Sequence, residues 1–172
     1  MYPYAFQEGD FFVNASLSMV HRNSNEYPNS FRRGSFPAIS LTGEYAVTKY
    51  IGVGPYLALY PRSFKYESSK QTYIFHANRY FTGVSLGLHL SPAIEDVVSE
   101  HLDSEHLDIY IMLSGGVKST LFYGGTPLED TQKVAGAAMA GMRYFFRDHY
   151  GLFLEAGYGP FELAKVGVTT RF

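Results

Sequence analysis

The chain has 172 residues and no cysteine, so it is read as one domain over residues 1–172 with neither a disulfide framework nor a thiolate metal site. A formal net charge of −2 excludes the basic footprint of a nucleic-acid binder. Hydrophobic residues make up 46%, yet no run reaches the roughly 18 apolar residues of a membrane helix, and 15 Tyr, 14 Phe and 17 Gly favour strands and tight turns instead.

Residues 1–9 read as an N-terminal leader segment. Met1 to Phe6 lacks the basic start and apolar core of a secretory signal, and is expected to be a remnant or junction. A period-two segment follows over about 10–20, with Phe11, Val13, Ala15, Leu17 and Met19 on one face and Asn14, Ser16 and Ser18 on the other. Residues 21–35, with Asn, Ser, Pro and the pair Arg32-Arg33, are expected to be a loop. The second segment sets Ile39, Leu41, Tyr45 and Val47 against Ser40, Thr42 and Glu44. After a tight turn the third sets Ile51, Val53, Leu57 and Leu59 against Gly52, Gly54, Tyr56, Ala58 and Tyr60. Residues 61–78 read as another polar loop. The fourth segment opposes Tyr80, Val84, Leu86, Leu88 and Leu90 to Phe81, Gly83, Ser85, Gly87 and His89.

The connection over 91–106 opens with Ser91-Pro92 and carries Ile94, Val97, Val98 and Leu102 at helical spacing, which predicts a short acidic amphipathic helix over 91–103. The fifth segment opposes Ile109, Ile111, Leu113 and Val117 to Asp108, Tyr110, Ser114 and Gly116. A loop over 119–132 and an Ala-, Gly- and Met-rich sixth segment over 133–146 come next. The seventh sets Leu152, Leu154, Ala156 and Tyr158 against Phe153, Glu155, Gly157 and Gly159. The last sets Ala164, Val166, Val168, Thr170 and Phe172 against Lys165, Gly167, Thr169 and Arg171.

Eight such segments predict an all-β, eight-stranded antiparallel up-and-down barrel. In lipid only a closed barrel lets strands satisfy every backbone group. Long connections alternate with short ones, as between the outer and periplasmic ends of such barrels; 91–106 is then a long periplasmic connection. A soluble barrel would turn its branched face inward and coat itself with polar residues. Here the second face is largely Gly, Ala and Ser, which suits the narrow interior of eight strands. The branched face is therefore assigned to lipid, and Tyr45, Tyr50, Tyr80, Tyr144, Phe146, Tyr150 and Phe172 to interfacial girdles.

The strand-turn-strand from Gly141 to Gly159 and the alternating C-terminal segment ending on Phe172 resemble the OmpA/OmpX-like small outer-membrane β-barrels. Gln7-Glu8-Gly9-Asp10 resembles their mature N-termini. The resemblance implies an integral protein of the cell outer membrane, in contact with bilayer and lipopolysaccharide. It also implies that Val166, Val168, Thr170 and Phe172 form the C-terminal signal read by the insertion machinery. It says little about activity, since the fold hosts adhesins, enzymes and anchors alike.

On the inward face stand Glu44, Asp108, Arg143, Glu155, Lys165 and Arg171, three acids and three bases. In a narrow lumen they are expected to pair as a network, with Glu155 facing Lys165 or Arg171 and with Arg143 and Glu44 joining. Arg32, Arg33, Arg62, Lys65 and Lys70 are expected on a basic extracellular rim among aromatics. His101 and His106 in the acidic stretch have no metal-site spacing, His21-Arg22-Asn23-Ser24 reads as loop polarity, and no catalytic, metal or cofactor motif is present. The reading is a non-enzymatic outer-membrane barrel with a structural or protein-interaction role, as a unit of a larger envelope complex or alone. A narrow pore, a lipid-modifying enzyme and a soluble lipocalin-like barrel are the alternatives.

Overall fold

A computed structural model describes residues 4–21, 31–67, 72–98, 105–123 and 130–172. Nine strands form one sheet: β1 (Phe11–His21), β2 (Phe31–Ser35), β3 (Ile39–Ala46), β4 (Ile51–Glu67), β5 (Thr72–His89), β6 (Leu107–Tyr123), β7 (Thr131–Arg147), β8 (Tyr150–Tyr158) and β9 (Glu162–Arg171). The helix α1 (Ser91–Val98) joins β5 to β6. All pairings are antiparallel, and β1 pairs with both β3 and β9, so the sheet closes on itself.

β2 and β3 both pair with β4 and make one wall of the barrel, which is why nine strands build eight staves. Between Ser35↔Arg62 and Ile39↔Leu59 the β2–β3 wall takes four steps to β4's three, a bulge that splits the stave. At the opposite seam the Phe11 and Phe172 backbones exchange two hydrogen bonds, of 3.2 and 2.9 Å.

The period-two faces lie as the sequence predicts. Leu17, Leu41, Leu57, Leu86, Leu113, Leu154 and Val168 point outward and are exposed, while Asn14, Ser40, Glu44, Asp108, Arg143 and Lys165 point inward and are buried. An exposed apolar belt around a charged interior is the reverse of a soluble barrel. Tyr45, Tyr144, Phe146, Tyr150 and Phe172 ring the short-turn end on the outside, as a girdle should.

Three expected loops contain strand. The β4–β5 ladder runs unbroken from Ile51↔Leu88 to Glu67↔Thr72, so most of residues 61–78 is a tall hairpin. β6 reaches Tyr123 and β7 begins at Thr131, narrowing the loop over 119–132. Residues 31–35 pair with β4. The helix begins at Ser91, as expected, and runs through Val98; residues 99–103 of the expected span lie outside the described residues.

Candidate functional site: a charged and plugged lumen

Three layers of side chains fill the barrel from the short-turn end upward. The first is a floor made by the chain's own start. Ala5 and Phe6 are buried, and the Phe6 ring stacks on the His89 imidazole (3.4 Å between centroids, 7° between planes) and on Phe12 (5.3 Å, 11°). The segment is pinned along its backbone: Gly9 N–H donates to the Ala46 carbonyl (2.9 Å) and Ala46 N–H to the Asp10 carbonyl (2.9 Å). Arg171 reaches across it, donating from Nη1 to the carbonyls of Tyr4 (3.0 Å) and Ala5 (3.2 Å) and from Nη2 to that of Asp148 (2.7 Å). Burial raises the Asp10 carboxyl above its ordinary pKa, opposed by the Arg171 guanidinium and the Gln7 N–H. Tyr4 to Phe6 thus packs as part of the closed lumen.

The second layer is an ion cluster. Glu44 Oε1 lies 2.9 Å from His89 Nε2, and the Asp108 carboxylate 2.9 Å from His89 Nδ1. Arg143 Nη2 donates to Glu44 Oε2 at 2.7 Å, and Nη1 stands 3.9 Å from Asp108. The Arg143 guanidinium lies over both Phe12 (4.5 Å) and Tyr110 (5.1 Å). No member exceeds 1% exposure, so each charge must find its complement inside the cluster. A ring nitrogen facing a carboxylate on each side calls for two N–H donors, which the imidazolium supplies. Two carboxylates, one guanidinium and one imidazolium then cancel.

The third layer lies mid-barrel. Lys165 Nζ is 2.9 Å from Glu155 Oε2, Tyr110 Oη donates to Glu155 Oε1 (2.9 Å), and Tyr56 Oη donates to Glu162 Oε1 (3.0 Å). Lys165 donates to Tyr56 Oη at 3.4 Å and lies over its ring. Serines from β1 and β3 close the wall, with Ser16 and Ser40 Oγ 2.5 Å apart.

Five of the six expected lumen charges therefore meet in two groups: Glu44, Asp108 and Arg143 in one, Glu155 and Lys165 in the other. Arg171 is inside the barrel but binds neither Glu155 nor Glu44; it serves the floor, because its place at the end of β9 puts it level with the N-terminal segment. Arg62, expected on the extracellular rim, stands toward the hairpin end of β4, turned inward and stacked on Tyr60 (4.6 Å). The side chains of Arg32, Arg33, Lys65 and Lys70 lie outside the described residues, as do His101 and residues 22–24.

His89 was legible as an interior residue, but Glu162 was not. Strict alternation from Lys165 places position 162 outside. A bulge in the β1–β9 ladder at Ser18 to His21 turns it in. Among the described residues no group of three or more His, Cys, Asp or Glu is arranged to hold a metal ion.

The closed barrel, apolar outside and charge-paired inside, defines an integral β-barrel membrane protein of the outer-membrane type. No family profile and no curated protein sequence matches the chain. Solved structures do share its fold. Ail, the attachment invasion locus protein of Yersinia pestis, aligns with a TM-score of 0.56 at 16% identity over 96% of this chain and 100% of its own. The outer membrane protein OprG of Pseudomonas aeruginosa gives 0.56 at 12% over 97% of each chain. The outer membrane protein AlkL, determined in DMPC bilayers, gives 0.54 at 18% over 100% of this chain and 94% of its own. At these identities the likeness is one of fold.

Proposed function

We propose that the protein is a non-enzymatic, non-conducting barrel of the outer membrane whose role is structural or interactive, exercised where its tall hairpin meets the outside and where α1 meets the periplasm. The observation that carries this reading is the stacking of Phe6 on His89 beneath a fully buried Glu44–Arg143 pair. Floor and ion cluster together occupy the cross-section that a pore would need open. Against a lipid-modifying enzyme, Glu44, His89, Asp108, Glu155 and Glu162 are turned into the lumen and hydrogen-bonded there, away from a lipid substrate; the exposed His76–Ser63 contact on the β4–β5 hairpin (3.1 Å) is what that alternative would have to use. Against a soluble barrel, the apolar face is outside.

Val166, Val168 and Phe172 face outward on the closing strand with Thr170 half-buried beside them. This supports their reading as the signal recognised on insertion. Lipid bilayer, lipopolysaccharide and an envelope protein partner are the contacts this placement suits.

Planar-bilayer recording on the folded protein tests the proposal. Expected are flat traces; regular single-channel steps would replace this reading with that of a narrow pore.

A further inference from the structure

The staves end at unequal heights opposite the floor. β7 begins at Thr131, but its ladder with β8 starts only at Ala138↔Tyr158. Just beyond Tyr158, Gly159 and Pro160 turn the chain back, with Gly159 N–H donating to the Glu162 carbonyl (2.8 Å). Thr131 to Ala137 pair with β6 on one side, from Thr120↔Thr131 to Ser114↔Ala137. Among the described residues no strand pairs with the other side. At about 3.3 Å per residue this edge is roughly 23 Å long. Every second residue on it turns its N–H and C=O away from β6, with no ladder to join.

The usual defences of an edge strand are sparse here. The ladder with β6 carries no bulge, the stretch Thr131 to Ala137 has no proline, and its one charge is Lys133. There is also room beside it. A cavity of about 380 Å³ lies between Lys133–Gly136 of the edge and residues 158–161 of the turn, with Tyr60 and Phe161 in its walls. A β8 as tall as β7 would stand there.

The two faces of the edge decide what fits. In step with buried Met139 and Arg143, Lys133, Ala135 and Ala137 lie on the lumen side, while Gln132, Val134 and Gly136 lie outside. Val134 is 90% exposed. A strand laid here sets a branched side chain beside Val134 and an acidic one beside Lys133. Next to small Ala135 it can drop an aromatic side chain into the cavity against Tyr60 and Phe161.

We infer that this edge receives an extended segment of another protein, which joins the sheet antiparallel to β7 in the place of a taller β8. A second copy in the same bilayer does not fit, because rotation about the membrane normal sets two β7 edges parallel. The inference names a partner for the interaction role proposed above and rests on that role for the outward placement of this end. Bilayer recording tests that reading separately.

The test uses the full chain folded in detergent and a fluorescein-labelled peptide, Thr-Thr-Phe-Val-Glu-Thr, written to lie opposite Ala137 back to Gln132. Its anisotropy should rise on binding. Two N-methylated forms are compared, one at the first, third and fifth amides, the other at the second, fourth and sixth. The set whose donors face β7 should weaken binding at least about tenfold, and the other should leave it within about twofold. Lys133→Glu should weaken binding about two- to fivefold and should favour a peptide with Lys in place of Glu; its heat-dependent mobility in SDS shows that it folds. In hydrogen exchange, alternate amides of Thr131 to Ala137 should be open in the protein alone and protected by the peptide.

Equal loss from both methylated sets, or no binding at millimolar peptide, would overturn the inference. So would protection of all these amides before peptide is added, since the edge is then already covered. Protection that appears only on concentrating the protein alone would give the edge to a second copy instead.

Discussion

Arg143 holds three partners at once, a carboxylate at 2.7 Å and two aromatic faces, with no solvent in reach. Removing one member of a buried pair strands the other, at a cost of about 3–5 kcal/mol. Arg143→Met should therefore lower the unfolding free energy in detergent by about that amount, and Glu44→Gln added to it should recover part of the loss, read from urea titrations. Asp10 gives a pH dependence of known sign. Its carboxyl binds a proton more tightly in the folded floor than in the unfolded chain. Folded protein therefore carries the extra proton just above the ordinary aspartate pKa of about 3.9. Stability from this group is present below that value and declines as pH rises through the raised one. Exchange protection of the Gly9 and Ala46 amides, corrected for intrinsic rates, should fall across that window, and Asp10→Asn should flatten it. At this scale the inward charges were readable because period two assigns each a face. Glu162 was not, because β9 takes two steps from Ala164 to Glu162 against one on β1, and the extra residue at Leu163 reverses its parity.

Strands succeed here by leaving room. A Cβ on Gly87 would come within 2.5 Å of Glu44 Oε1 and 2.8 Å of His89 Nε2, and one on Gly141 within 2.6 Å of the Tyr110 ring. Glu44 cannot swing aside, being held by Arg143 and His89 together. Gly87→Ala should cost about 1–3 kcal/mol by overpacking, measured in the same titration, whereas Gly115→Ala, which meets nothing within 4 Å, should be near neutral. The glycines of these segments were visible as a small-residue face, but not as the complement of particular side chains; that requires knowing which strands adjoin. The tall β4–β5 hairpin escaped the sequence for a different reason. Alternation marks a strand only where its two faces meet different media. Over residues 61–78 polar residues stand on both faces, Arg62 inward and His76 outward, so the ladder persists while the pattern that would reveal it fades.

For the whole molecule, closure is shared between the floor and the ion cluster, and the two can be told apart. Deleting residues 1–8 removes Phe6 and the carbonyls that Arg171 binds, yet leaves Glu44, His89, Asp108 and Arg143 across the lumen. The truncated protein should still shift its mobility in SDS on heating, as a folded barrel does, and should unfold at lower urea. It should still show no conductance steps in a bilayer. Steps appearing only after the deletion would make the N-terminal segment the sole stopper. Architecture was readable from the period of two, and sidedness from the Gly, Ala and Ser of the second face. The floor was not, because a short aromatic start with no periodicity of its own does not distinguish a leader from a segment that folds back.

Arg171 ties residue 4 to residue 148 through one guanidinium. Its place near the end of the last strand gives that contact almost the greatest separation the chain allows. That contact needs β9 in place and carries the largest loop-closure cost of the floor. The Gly9–Ala46 bond and the Phe6–His89 stack, which draw on β3 and β5, are free of that requirement.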